Sequence, residues 1–216
     1  MKIAISGLSG CGNSTACNLV SKALGGMKVV NYTFRNAALD AGLTLAEVHV
    51  LAKKFPEIDY ALEQKQLNLL ERENNCILGT RLAGWLLEKG FKVWLDAPLE
   101  VRAQRIAQRE NKTLAQAMVE TKKRDADNRA RYIKRYSIDL NKHEHFDLVV
   151  NAGSLDAEQV AAAIVSAVKH AKPNELRRNP FPQEIKTTIG RKLNAQHLST
   201  ITNENVLKVI QCLQSK

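Results

Sequence analysis

Between a short apolar run at residues 2–6 and a segment with helical apolar spacing at 15–24 lies Gly7-Leu8-Ser9-Gly10-Cys11-Gly12-Asn13-Ser14. This segment fits the pattern G-x-x-x-x-G-K-[ST] at every defined position except the lysine, and it stands where a strand hands over to a helix. Glycines there let successive backbone N–H groups turn inward around a phosphate, and the helix N-terminus adds positive potential. Gly7, Leu8, Ser9, Gly10, Cys11, Gly12, Asn13, Ser14 and Thr15 are therefore the candidate phosphate cradle, with the Ser14 hydroxyl placed to ligate Mg²⁺. The competing reading is a tight strand-to-helix turn that holds no ligand.

Asn13 is the departure that matters. A lysine at that position supplies a compact positive charge across two phosphates during phosphoryl transfer, whereas an amide donates hydrogen bonds without charge. Either another cation compensates or the chain binds nucleotide with little catalysis.

Downstream, the periodicity alternates. Residues 27–32 and 75–79 read as strands, and 33–55 carries two helical patterns broken near Gly42, with Thr44 and Glu47 spaced as a capping box. A further helix runs from Pro56 to about Glu73, another spans 81–88, and 91–96 is a strand. Pro98 opens a helix to Arg109, Thr113 caps a long polar helix to about Arg135, 145–151 is the last strand, and 156–170 is an alanine-rich helix. Alternating strands and helices predict an α/β three-layer sandwich, a parallel sheet of about five strands covered on both faces. Residues 1–170 form the expected domain, with a helical lid at 101–135. Residues 171–216, marked by Pro173, Pro180 and Pro182 and an apolar pattern at Val206, Val209, Ile210 and Leu213, read as a linker and a small helical extension.

Composition narrows the class. The 216 residues, 44% hydrophobic and 25% charged, suit one compact domain with an appendage. The four cysteines show no C-x-x-C pair, no run approaches the roughly 20 apolar residues of a membrane span, and the N-terminus lacks signal-peptide features, so a soluble cytoplasmic protein, expected to be a monomer, fits. The net charge of +10 is unevenly placed: residues 101–135 hold eleven Lys/Arg against four Asp/Glu, and 170–216 hold eight against three.

Much of that charge is arginine in register. Arg102, Arg105 and Arg109 form one helical stripe, and Arg124, Arg131 and Arg135 another, so both can face one site. Arg35 follows the second strand and Arg81 the third. Guanidinium groups bind phosphate oxygens in pairs, and phosphoryl transfer is mostly positioning and charge neutralisation. The bland reading is a pair of solvated basic faces.

The blocks ISGLSGCGNST, NYTFRNAA, FPEID, ILGTRLAGWLL, VWLDAPLEVRAQRIAQRE, KKRDADNRARY and FDLVVNA occur in the order that resembles the P-loop nucleoside monophosphate kinases of the short cytidylate type, over residues 1 to about 168. The resemblance implies transfer of the ATP γ-phosphoryl group to CMP or dCMP with Mg²⁺. It also implies that Arg35, Arg124 and Arg131 bind the acceptor phosphate, that Arg105 and Arg109 meet ATP, and that Asp59, Arg81 and Asn128 surround the acceptor. Asn13 and Asn128, the latter where the lid often carries an acid, depart from the pattern. The readings that stand beside it are a catalytically weak or inactive nucleotide-binding protein, another small-acceptor kinase such as an adenylate or shikimate kinase, and a nucleic-acid binder using the basic tail. Phe181 is the tail's one aromatic residue, which counts against nucleic acid. His143-Glu144-His145 reads as a solvated loop, and Trp85 and Trp94 as core.

Overall fold

The computed structural model describes residues 1–215. Five strands, β1 (Lys2–Gly7), β2 (Lys28–Val29), β3 (Cys76–Leu78), β4 (Phe91–Asp96) and β5 (Leu148–Asn151), form one parallel sheet in the order β2-β3-β1-β4-β5. Ile3 pairs with Ile77 on one side and Phe91 on the other, so β1 is central. The chain fills the β3 side of β1 before crossing to β4. Ligands of open α/β sheets bind in the crevice at the strand C-termini beside such a reversal, and Gly7 opens there.

Successive residues of β1 serve opposite faces, as strand pleating requires. Ile3 and Ile5 pack with α1 (Asn13–Ala23) and α8 (Ala157–His170), while Ala4 joins Leu78, Trp85 and Trp94 on the other face. That second face is covered by α4 (Glu57–Arg72), the short α5 (Ala83–Leu86) and the C-terminal part of α7 (Leu114–Tyr136). The helices α2 (Phe34–Ala41) and α3 (Leu45–Lys54) stand beside α4, and Thr44 and Glu47 form the expected reciprocal cap. Against α7 lies α6 (Leu99–Glu110), with only Ala103, Ile106, Ala107 and Ala117 as a fully apolar seam.

Several sequence expectations change: the helix expected over 81–88 is only Ala83–Leu86, and the strand expected over 145–151 is only Leu148–Asn151. The second strand shrinks to two residues because the chain leaves the ladder after Val30 and the Asn31 side chain takes over, accepting from the Gly79 N–H at 2.5 Å. The His143–His145 segment is not a solvated loop: His143 stacks on Trp94 at 4.2 Å and His145 is buried between Trp85, Phe146 and Phe181. Beyond residue 170, part of the supposed linker is helical. α9 (Phe181–Lys192) precedes the four-residue α10 (Ala195–Leu198) and α11 (Glu204–Gln214). Pro180 and Pro182 signalled a break, yet they sit where α9 starts, where a missing N–H costs nothing. Ile185 and Ile189 of α9 enter the core over α4 and α5, and Val206, Val209, Ile210 and Leu213 of α11 pack on α2 and α4. Asn179 anchors the segment, its buried amide donating to the carbonyls of Gly84, Trp85 and Leu87 at 2.7–3.2 Å.

Candidate active site

The loop between β1 and α1 has the shape its glycines promised. Gly10 and Gly12 take φ of 88° and 98°, the left-handed region that side chains disfavour, and a Cβ on Gly10 would lie 2.7 Å from the Arg102 carbonyl. α1 begins without a side-chain cap or an acidic residue in its first turn, so its free amides and positive dipole end face outward. Asn13 opens that helix. Its Nδ2 donates to the Gly7 carbonyl at 3.3 Å, and its buried Oδ1 has no partner among the described residues.

Gly7, Leu8, Ser9, Gly10, Gly12, Asn13, Ser14 and Thr15 line a single cleft of about 3280 Å³. Arg35, Asp59, Arg81, Arg105, Arg109, Arg124, Asn128 and Arg131 line the same cleft. Cys11 instead turns into the core, where burial pushes its thiol up to about 11, so it is inert; only its backbone stays in the loop, its N–H donating to Leu8 O at 3.1 Å.

The arginine stripes divide by role. Arg102 does not face the cleft: it is buried, donating to the carbonyls of Ala97 and Ser9 and pairing with Asp125 at 2.7 Å, and so fixes the loop from behind. Arg105 reaches the Ala152 carbonyl at 2.7 Å and that of Gly10 at 3.5 Å, while Arg109 is exposed and paired with Glu110. Arg81 donates to Ser9 Oγ at 2.8 Å, joining β3's end to the loop.

On the opposite wall, buried Asp59 of α4 clamps two arginines of α7, pairing with Arg131 at 3.5 Å and with Arg135. Arg131 also donates to Asn128 Oδ1 at 2.7 Å, so Asn128 fills a structural place in this network. Arg35 and Arg124 form no side-chain hydrogen bond or ion pair among the described residues, which leaves their donors free for an incoming anion.

Several cleft residues escaped the sequence reading. His49 of α3 packs edge-on against Phe34 at 5.3 Å, and burial, followed by the charges of Arg131, Arg124, Arg81 and Lys53, holds its imidazole below the ordinary value. Glu63 is buried and receives the Tyr136 hydroxyl at 2.7 Å, and burial raises it to about 7. Gln66 links the Tyr32 carbonyl to the Thr80 hydroxyl. Arg191, Lys192 and His197 bring the appended helices to the rim. No motif marks these positions; their only sequence signal is the apolar spacing of the helices that carry them.

Among the described residues no cluster of three or more His, Cys, Asp or Glu could cage a metal, and no helix is long and apolar enough to cross a membrane. The exposed Ser14 at the loop's end suits a hard cation that arrives with its nucleotide and keeps phosphate oxygens and water as its other ligands.

Comparison with known proteins gives the family and the fold. A family model described as the cytidylate kinase-like family matches residues 2–154. The cytidylate kinase of Archaeoglobus fulgidus is 40% identical over 175 residues, covering 80% of this chain and 97% of that protein. That of Natronomonas pharaonis is 39% identical over 178 residues, covering 81% and 93%. Among solved structures, shikimate kinase from Acinetobacter baumannii in complex with shikimate is similar at a TM-score of 0.54 and 18% identity, covering 82% of this chain and 95% of that one. Deoxyadenosine kinase from M. mycoides follows at 0.50 and 18%, covering 79% and 100%. These two likenesses speak for the fold alone.

Proposed function

Since the chain belongs to the cytidylate kinase-like family, we propose that it transfers the γ-phosphoryl group of ATP to CMP or dCMP, giving ADP and the diphosphate. The observation that carries this reading is the convergence of a glycine phosphate cradle and guanidinium groups from the turn after β3, α2, α6 and α7 on one cleft. A cradle alone binds; opposed cations at two places position two phosphates for transfer.

In this reading the amides of residues 7–15 hold the ATP phosphates, and Arg105 and Arg109 approach them from α6. Mg²⁺, held with the help of Ser14, would neutralise phosphate charge when bound. Arg35, Arg124 and Arg131 receive the acceptor phosphate. Asp59 keeps Arg131 extended toward the cleft, and Asn128 fixes the same guanidinium from its other side. An acceptor phosphate oxygen attacks the γ-phosphorus in line and needs no strong base, because it is largely ionised near neutral pH. Closure of α6 and α7 excludes water and so suppresses hydrolysis. Residues 1–170 constitute the kinase domain and 171–216 an extension that shares its cleft. Asn13 is the one feature in favour of a non-catalytic nucleotide binder.

The test is ADP formation with CMP, dCMP, UMP, AMP and shikimate as acceptors. CMP and dCMP should lead, and Arg124→Ala and Arg131→Ala should each lower kcat/KM for CMP by about 100-fold, the weight of a lost charged hydrogen-bond pair. ATP binding without ADP formation on any acceptor, or a dominant different acceptor, would refute the proposal.

A further inference from the structure

The phosphoryl transfer proposed above needs charge where the loop has none. As the acceptor oxygen bonds to the γ-phosphorus, the bond from that phosphorus to the bridging oxygen breaks and its electron pair stays on the β-phosphate of ADP. Positive charge at that bridge is what a loop lysine ordinarily provides. Asn13 cannot provide it: its amide is neutral, one N–H of its Nδ2 is taken by Gly7 O, and its Oδ1, without a partner among the described residues, offers a lone pair to the loop rather than a proton.

The cations within reach can be sorted by what they already hold. Arg102 is committed to two carbonyls and Asp125 and is buried behind the loop. Arg105 is tied to the carbonyls of Ala152 and Gly10 on the β5 side. Arg109 is paired with Glu110 and largely solvated, with 62% of its side chain exposed. Arg81 differs from all three. It stands in the turn three residues past β3, the strand next to central β1, and donates Nη2 to Ser9 Oγ inside the loop. It forms no ion pair among the described residues, and its Nε is buried without a partner. Its charge is therefore uncommitted and already on the loop.

We propose that Arg81 supplies the charge missing at position 13, reaching the β–γ bridge of ATP from Ser9. This moves Arg81 from the acceptor's surroundings to the donor phosphates. It makes Ser9 a positioning residue that aims the guanidinium. It also explains how a loop with an amide at its lysine position serves a kinase.

The experiment compares wild type with Arg81→Ala, Arg81→Lys, Ser9→Ala, Asn13→Lys and the Asn13→Lys/Arg81→Ala double variant. The readouts are turnover with CMP and equilibrium binding, without turnover, of Mg²⁺ with β,γ-imido-ATP, of ADP, and of CMP alone. Arg81→Ala should lower kcat by about 100-fold or more and weaken the imido analogue by about 10-fold, with ADP and CMP alone changed by less than about 3-fold. Arg81→Lys and Ser9→Ala should fall between. Asn13→Lys should restore about 10-fold or more of the turnover lost in Arg81→Ala, since it returns charge to the same place.

Weakened CMP binding with an unchanged imido analogue would return Arg81 to the acceptor and overturn the proposal, as would a double variant no better than Arg81→Ala. Should Arg81→Ala melt, Arg81→Lys and Ser9→Ala put the same question to a folded protein. Absence of turnover in wild type with every acceptor would count against the kinase reading alone, because the imido-ATP against ADP comparison requires no chemistry.

Discussion

The two walls of the cleft are built on opposite logics. The donor wall, β1 with its loop and α1, is dictated atom by atom: Gly10 and Gly12 must take positive φ, and the loop's backbone lies against the Arg102 carbonyl. The far wall, α2 to α4 braced by α9 and α11, is dictated by burial. Alanines of α2 meet Val209 and Ile210 of α11, and many apolar residues could do that work. Where phosphate chemistry sets the geometry, residue identity is fixed at a given spacing. Where packing sets it, only polarity is fixed.

The sharpest way to break this contrast is Gly10→Ala. The added methyl meets backbone rather than a flexible side chain, and the φ of 88° penalises it further. Because the loop must shift, ATP turnover should fall by about 100-fold while stability falls by only about 1–3 kcal/mol. Steady-state kinetics beside thermal unfolding checks both. Equal loss of turnover from a far-wall packing change in a folded protein would end the distinction.

Its counterpart is Ile210→Ala in α11. Truncation of this buried side chain should cost about 2–5 kcal/mol in unfolding free energy. The kinetic signature should be a raised KM for CMP with KM for ATP little changed, since α11 packs on α2 and α4, the helices that carry Arg35 and Asp59. A change in KM for ATP of the same size would show that the walls are not independent.

The same contrast explains what the sequence disclosed. Gly7 to Ser14, the Thr44–Glu47 box and the spacing of Arg105, Arg109, Arg124 and Arg131 were legible because each is a local relation with a chemical reason. The role of Arg102 was not, because a stripe says which residues share a face and not whether that face meets the Ser9 carbonyl or the solvent. His49, Glu63 and Gln66 stayed hidden in ordinary helical patterns. α9 was hidden by prolines that start helices as readily as they end them. His145 was misjudged because its partners, Trp85 and Phe181, lie far from it in the chain.

His145 marks the seam between the kinase core and the appended helices, and pH probes it. Burial, then the charge of Lys92, hold its imidazole down at about 4 against an ordinary 6.5. Above pH 6.5 both folded and unfolded chains carry it neutral. Between 6.5 and 4 only the unfolded chain takes the proton, so stability falls as pH falls, by up to about 3 kcal/mol for this group. Glu63, raised to about 7, imposes the opposite slope, stability falling as pH rises from the ordinary carboxyl range to 7. The difference between wild type and His145→Gln isolates the histidine: the variant should lose the acid-side slope. Parallel profiles would mean that this seam opens to water before the core unfolds.

The smallest effect sits where the far wall borrows the donor wall's local logic. Thr44 Oγ1 accepts from the Glu47 N–H at 3.2 Å, and the Glu47 carboxylate accepts from the Thr44 hydroxyl and from the Thr44 N–H, each at 2.7 Å; these bonds, the hydroxyl's first, lower the Glu47 carboxyl below its usual range. Thr44→Ala should cost about 1 kcal/mol by thermal unfolding. It frees the first turn of α3, whose later residues His49 and Lys53 line the cleft. KM for CMP should therefore rise by about 2-fold, and KM for ATP should stay fixed. Thr44→Ser, which keeps the accepting oxygen, should restore both. Were KM for CMP unmoved while stability drops, the start of α3 would be scaffolding alone, and the acceptor side would depend on tertiary packing throughout.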